Sequence, residues 1–201
     1  MTTNSRIIWN VAISFGLARS HNFEKPDRMV FDLDPGEELT WTMMREAACL
    51  TRTLFEELGL QCFVKTTGGN GLHIVVPLTP RDGWESMRDF SKAVADHLAG
   101  VIPNLFSAVS GSQNRVGKIF IDYIRNNRGA TTVAAFSARA RPGLGVSMPL
   151  SWDELPTVTG GAHWNIVTAR ERLESGADPW KNYATTKQTI KESSRKMLLH
   201  S

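Results

Sequence analysis

The sequence predicts an α+β domain in which helices pack on a mixed or mostly antiparallel sheet, and three observations carry that reading. Short apolar, β-rich runs bounded by Gly and Pro recur along the chain. Two longer stretches between them place apolar residues at helical spacing. Two of the strands are joined by a short glycine-rich connection, which makes them a hairpin.

Taken in order, Met29-Val-Phe-Asp-Leu-Asp34 is a strand stopped by Pro35-Gly36. A helix follows, with Thr40 as N-cap, Met43, Met44, Ala47, Leu50, Leu54, Phe55 and Leu58 at helical spacing, and Gly59 where a left-handed terminating residue belongs. Leu60 to Lys65 and Leu72 to Pro77 are the hairpin strands, joined through Thr66-Thr-Gly-Gly-Asn-Gly71. A second helix from Trp84 to Leu98 carries the stripe Met87, Phe90, Val94, Leu98 and ends near Gly100. Val116 to Ile124 and Thr131 to Ser137 are further strands, Trp152 to Leu155 opens a short helix or turn, and Val167 to Leu173 is a helix. From about Tyr183 the chain is polar and basic and is expected to be a helix or a frayed tail.

With 201 residues and 41% hydrophobic content, the chain is long enough to bury a sizeable core. Lys and Arg number 23 against 20 Asp and Glu, a net charge of +3 that suits a nucleic-acid or nucleotide partner without requiring one. The two cysteines, Cys49 and Cys62, lie in apolar surroundings without C-x-x-C spacing and are expected to be buried free thiols in a reducing cytoplasm. The stretch Ile7 to Phe15 is too short and too interrupted to span a bilayer, so no secretion signal or membrane segment is expected. Trp41, Trp84, Trp152, Trp164 and Trp180 are candidates for base stacking, with packing the commoner role.

Three motifs carry chemistry. On a strand, alternate side chains share a face, so Asp32 and Asp34 project together while Phe31 and Leu33 point inward. Paired carboxylates repel unless a cation sits between them, and hard oxygen ligands suit Mg²⁺ or Mn²⁺. The alternative is a solvated pair at a strand end. Gly68-Gly-Asn-Gly71 followed by His73 lets backbone approach an anion closely, or simply makes a tight hairpin beside a sheet histidine. Asp122 interrupts the apolar strand Ile119-Phe-Ile-Asp-Tyr-Ile124 and needs a cation partner. That partner is either a metal or one of the arginines and lysines crowding the stretch: Arg115, Lys118, Arg125, Arg128, Arg139 and Arg141.

In this order, Phe31-Asp-Leu-Asp-Pro-Gly36, Lys65-Thr-Thr-Gly-Gly-Asn-Gly-Leu-His73, Ile119 through Asp122 and Tyr123 to Asn126, Arg128-Gly-Ala-Thr-Thr-Val133, Ser137-Ala-Arg-Ala-Arg-Pro-Gly143 and Trp152-Asp-Glu-Leu155 resemble the polymerase (primase-like) domain of bacterial DNA ligase D. The resemblance runs from Pro26 to Trp180. It implies a primase-polymerase catalytic core with an RRM-like, mostly antiparallel sheet over 26–182, a short N-terminal segment over 1–25 and a basic tail over 183–201. It further implies that Asp32, Asp34 and Asp122 hold two Mn²⁺ or Mg²⁺ ions. Thr67, Gly68, Gly69, Asn70, Gly71 and His73 would meet the triphosphate of an NTP or dNTP, and Arg115 and Arg139 would bind phosphates. The implied reaction is nucleotide addition to the 3′-OH of a DNA end in bacterial end-joining repair, in the cytoplasm near the nucleoid. A separate ligase and an end-binding protein are the implied partners.

Two departures from that family's pattern stand out. Asn70 replaces a Lys, and Thr67 a Ser, in its Ser-Gly-Gly-Lys-Gly stretch; losing a charge-assisted contact removes roughly 1.5–3 kcal/mol. The family also carries a substantial segment before the first acidic strand. Here that segment is expected to be shortened, and Ile13 to Ser20 lacks the family's upstream histidine, leaving His21 as a substitute to be considered. These departures motivate a second function, a non-catalytic nucleotide- or nucleic-acid-binding remnant. A third, a haloacid-dehalogenase-like phosphatase with Asp32 as nucleophile, lacks the Gly-Thr expected after the second Asp and leaves the glycine loop idle.

Overall fold

The computed structural model describes residues 14–18 and 22–199, so the expectations for residues 1–13 and for His21 fall outside it. Its strands are β1 (Ser14–Gly16), β2 (Arg28–Pro35), β3 (Phe63–Thr66), β4 (Leu72–Pro77), β5 (Phe106–Ser107), β6 (Ile119–Asp122), β7 (Thr131–Val133) and β8 (Pro149–Leu150). The helices are α1 (Trp41–Glu57), α2 (Trp84–Val101), α3 (Thr168–Glu174) and α4 (Glu192–Leu199), with short 3₁₀ turns at Ser112–Asn114, Ile124–Asn126 and Leu155–Thr157.

A six-stranded sheet has the order β5-β6-β2-β4-β3-β8, and β1 pairs with β7 in a separate two-stranded ribbon. Every neighbour pair is antiparallel except β5 with β6. Alternation along β2 divides its two faces. Met29, Phe31 and Leu33 are fully buried in the main core, whereas Asp32 and Asp34 lie on the opposite face and stay partly exposed. The helices cover the first face: Met44, Ala47, Leu54 and Phe55 from α1, and Met87, Phe90, Val94 and Leu98 from α2, enter the same core. Phe31 meets Phe55 at 5.1 Å between ring centroids. Each such large apolar side chain contributes about 1.5–3 kcal/mol by leaving water.

The local signals at the ends of α1 act as expected. Thr40 accepts a hydrogen bond from the Met43 amide, and Gly59 takes φ +69° while Leu60 N–H closes back on the Phe55 carbonyl at 2.8 Å. Three strands are shorter than the apolar runs suggest, and β3 begins only at Phe63 rather than Leu60, whose amide is taken by the turn that ends α1. β6 begins only at Ile119 because Gly117 (φ +64°) turns the chain, and it ends at Asp122 because Tyr123 enters a turn. β7 stops at Val133, before Phe136 adopts φ +63°. The basic stretch beyond Tyr183 contains α4, whose Ser194 hydroxyl donates to the Leu58 carbonyl at 2.8 Å and whose Leu198 is buried in the main core. Cys62 is buried as expected, but Cys49 is exposed, because the residues of α1 that face the sheet are its neighbours Ala47 and Ala48.

The described tryptophans are half-buried, and Trp41, Trp84, Trp152 and Trp180 each donate their indole N–H to a backbone carbonyl, of Val158, Phe23, Cys62 and Val64 respectively. Two of these bonds join α1 and α2 to loops, and two bring later loops back to β3 and the segment just before it.

Candidate active site

The sheet register assembles a single row of charged and titratable groups. Asp122 on β6 lies directly opposite Asp32 on β2; Asp32 lies opposite His73 on β4, and His73 opposite Lys65 on β3. Directly opposite residues of antiparallel strands present their side chains to the same face, so the row runs across four neighbouring strands on the face away from α1 and α2. Asp34 stands two residues further along β2 on that face.

Arginines answer the carboxylates. Arg125 Nε is 2.9 Å from Asp122 Oδ2 and 3.8 Å from Asp32 Oδ2, and Arg115 pairs with Asp34. His73 Nε2 lies 3.4 Å from Asp32 Oδ1, while its Nδ1 is buried with no hydrogen-bond partner. The Ile124 amide donates to Asp122 Oδ1 at 3.0 Å. The Arg125 position is set by Asn126, which is fully buried and clamps the adjoining part of β2: its Oδ1 accepts from Val30 N–H at 2.8 Å and its Nδ2 donates to the Val30 carbonyl at 2.9 Å.

Electrostatics separate the two facing carboxyls. Burial is the largest influence on Asp32 and pushes it up, but His73, Arg125 and Lys65 together hold it below the ordinary carboxylate value. Burial also pushes Asp122 up, and there it wins over the opposing Arg125 charge. Burial, reinforced by the Lys65 charge, lowers His73 to about 4, so its imidazole is neutral at pH 7. Lys65 is itself lowered to about 7 by burial, and its Nζ donates to Ser147 Oγ at 2.7 Å.

The glycine loop closes one side of the site. Thr67 Oγ1 accepts from the amides of Gly69 (3.1 Å) and Gly71 (3.3 Å) and donates to the Gly71 carbonyl, and the Gly68 amide donates to the Gly161 carbonyl. A Cβ at Gly71 would stand 2.2 Å from the Leu33 carbonyl oxygen, and one at Gly68, whose φ is +69°, 2.6 Å from that of Gly145. Backbone packing therefore requires glycine at both positions.

A polar cavity of about 350 Å³ collects Asp32, Asp34, Thr67, Gly69, Asn70, Gly71, His73, Arg125, Arg139 and Arg141. Gly68 lies just behind it. Arg115 instead lines a neighbouring groove of about 990 Å³ that shares only Gly69 and Asn70 with the first. The larger groove has none of Asp32, Asp34 and His73, so the chemistry points to the smaller one; Asp122 lines neither and is tied to it through Asp32 and Arg125. Sequence reasoning did not single out Lys65, Arg125, Asn126 or Arg141 as site residues. The signals available were a lysine alternating with Phe63 on an apolar strand, an arginine three residues after Asp122, and an arginine two residues after Arg139.

The donor set suits a hard divalent cation in its chemistry, and a positive charge already lies against Asp32 and Asp122 in the form of the Arg125 guanidinium. Among the described residues no three acidic, histidine or cysteine side chains are drawn together as a cage, and the carboxylates are instead paired with arginines, Asp34 with Arg115 and Asp122 and Asp32 with Arg125.

Comparisons with known proteins identify the family of this fold. A multifunctional non-homologous end joining protein LigD of Pseudomonas aeruginosa is 50% identical over 192 residues, 94% of this chain but 22% of that protein. A bifunctional end joining protein LigD of Bacillus subtilis is 27% identical over 79% of this chain and 26% of its own length. The chain thus spans about a quarter or less of these relatives. Among solved structures, the polymerase domain of Mycobacterium tuberculosis ligase D in complex with DNA matches with a TM-score of 0.73 and 31% identity, covering 79% of this chain and 55% of that one. The family profile for the LigD primase-polymerase domain matches residues 7–180, which leaves the phosphatase alternative without support. That span takes in both acidic strands, the glycine loop and the arginine-rich stretch, and the chain belongs to the LigD primase-polymerase domain family.

Proposed function

We propose that this chain is a metal-dependent nucleotidyltransferase that extends the 3′-OH of a DNA end with NTPs or dNTPs during end-joining repair. The observation that carries the reading is the register of Asp122, Asp32 and His73 on adjacent strands, the last two lining a cavity walled by the glycine loop and Arg139. Asp32, Asp34 and Asp122 would hold Mn²⁺ or Mg²⁺. Such an ion lowers the pKa of an attacking hydroxyl and neutralises a triphosphate and its leaving pyrophosphate.

The protein's own residues divide the remaining work. Neutral His73 orients Asp32 through Nε2 and, with Thr67, lines the cavity assigned to the triphosphate. The loop from Gly68 to Gly71 sets that wall without side-chain bulk, and Arg139 faces the phosphates. In the reaction the 3′-hydroxyl gives up its proton to solvent, its oxygen forms a bond to the α-phosphorus, the bond from that phosphorus to the bridging oxygen breaks, and pyrophosphate departs. A DNA ligase and an end-binding protein are the partners this reading calls for, in the bacterial cytoplasm. No helix among the described residues is long and apolar enough to cross a membrane.

One observation favours a second reading. With Arg125 on Asp122 and Arg115 on Asp34, the carboxylates are already neutralised, as in a protein that binds nucleotide or DNA without turning it over.

Extension of a labelled primer on gapped or overhanging DNA, with Mn²⁺ and each nucleotide in turn, separates the two. The polymerase reading expects extension that drops at least about a hundredfold in Asp122→Ala, the scale for removing one preorganised electrostatic group. Extension that ignores Asp122 sinks it. DNA or nucleotide binding with no extension by the wild type supports the second reading.

A further inference from the structure

Four arginines surround the site, and they meet it differently. Among the described residues, Arg139 and Arg141 line the polar cavity without an ion pair, and Arg115 pairs with Asp34 alone. Arg125 is shared. Its Nε stands 2.9 Å from Asp122 Oδ2 and 3.8 Å from Asp32 Oδ2, between two acids that face each other across β6 and β2.

Like charges directly opposite on neighbouring strands repel, so this pair of acids needs a cation in that place to keep its register. The turn after β6 supplies one from within the chain. Tyr123 takes a right-handed helical conformation, the 3₁₀ turn Ile124–Asn126 follows, and the Asn126 and Asn127 amides donate back to the Tyr123 and Ile124 carbonyls at 2.9 and 3.0 Å. That geometry returns Arg125 over Asp122, three residues after it. With Asn126 clamped on Val30, the backbone that carries Arg125 is anchored to β2.

The guanidinium is held far less firmly than its backbone. Its side chain is 44% exposed, it approaches Asp122 through Nε, and its distance to Asp32 exceeds that of a hydrogen bond. A half-exposed ion pair of this kind contributes little to stability and breaks easily. A divalent ion between the same two carboxylates brings twice the charge and a hard cation's preference for oxygen. The displaced side chain has somewhere to go, because Arg125 already lines the polar cavity.

We infer that Arg125 is the resident counter-cation of the Asp32 and Asp122 pair. It holds the two carboxylates in register before an ion binds, competes with that ion for them, and so sets the Mn²⁺ concentration at which the site loads. The inference rests on the metal-binding reading above for the role of the acids, and adds to it a residue that opposes loading.

The test titrates Mn²⁺ into the chelator-treated protein by calorimetry, comparing the wild type with Arg125→Gln, Arg81→Gln and Asp122→Asn. Arg81 is an exposed arginine outside the site, and its substitution removes the same charge. Arg125→Gln is expected to bind Mn²⁺ about 10- to 100-fold more tightly than the wild type, the range for one charge-assisted contact that no longer competes. Arg81→Gln is expected to bind like the wild type, and Asp122→Asn to lose the ion. Thermal melting adds a second readout and checks folding: without metal Arg125→Gln melts at or below the wild-type temperature, and the same added Mn²⁺ raises its melting temperature by more than the wild type's. Affinity in Arg125→Gln that equals or falls below that of the wild type, or a gain as large in Arg81→Gln, overturns the inference and leaves the metal reading standing. Mn²⁺ that binds neither the wild type nor Arg125→Gln, or that binds regardless of Asp122, overturns both. Binding by Arg125→Gln but not by the wild type supports the inference in its strongest form, with Arg125 closing the site to metal.

Discussion

Replacing Asn126 by Ala removes a side chain that acts as a substitute strand. β6 pairs with β2 only from Asp32 to Pro35, so beyond Asp122 the β2 edge at Val30 would be left without a partner. Asn126 supplies one, satisfying Val30 N–H, the Val30 carbonyl and, at 3.1 Å, the Tyr123 carbonyl. Three hydrogen bonds are lost in Asn126→Ala, and both Val30 groups are left without a partner, while the Tyr123 carbonyl keeps the backbone amide of residue 126; Asn126 itself is fully buried, so water does not readily replace its side chain. At about 1–1.5 kcal/mol for each lost hydrogen bond the cost is roughly 3–5 kcal/mol. For a chain of this size that corresponds to a melting temperature lower by about 6–20 °C. Urea unfolding followed by circular dichroism reads the change as a shift in midpoint at unchanged slope. Asn126→Asp, which keeps the acceptor but aims a buried carboxylate oxygen at the Val30 and Tyr123 carbonyls, should cost at least as much as Asn126→Ala. A loss below about 1 kcal/mol in Asn126→Ala would refute the reasoning, since it would mean that the Val30 edge finds other partners. The same clamp positions Arg125 and Asp122, so a destabilised clamp should also weaken Mn²⁺ binding.

Stability should depend on pH in a way set by Lys65. The folded state lowers its pKa from 10.5 to about 7, so between these values the unfolded chain binds more protons and stability rises with pH. Cys62 acts in the opposite sense above about pH 9, because burial raises its thiol from 9.0 to about 12. Urea midpoints at pH 7, 8 and 9 should therefore climb in the wild type and stay level in Lys65→Met; parallel slopes in both proteins would exclude Lys65 as the cause. The cysteines offer a simpler check of the packing. A thiol reagent should label Cys49 rapidly in the native protein and Cys62 only after denaturation, and fast native labelling of both would contradict the buried position of Cys62.

Much of the fold is written in local patterns. The alternation of Phe31 and Leu33 with Asp32 and Asp34 placed two acids on one face, and the Thr40 and Gly59 signals bounded α1, because these features depend on neighbours within a turn or a strand. Pairing partners are a different matter. Nothing near Asp122 in sequence indicates that β6 lies beside β2 with Asp122 facing Asp32, since that register comes from contacts between residues 90 positions apart. The arginines show the same limit. Composition revealed a basic crowd, but which members neutralise carboxylates and which face an empty wall was decided by the turns at Gly117 and Gly143, through their backbone conformations.

By itself, then, the sequence determined the element types, the face carrying Asp32 and Asp34, the glycine loop and the family resemblance, all of which depend on periodicity and motif order. Only the tertiary structure decided the row from Asp122 to Lys65, the Asn126 clamp, the exposure of Cys49 and the division of the arginines into paired and unpaired. Those depend on which distant segments meet and on how much water is left between them, quantities that no local pattern encodes.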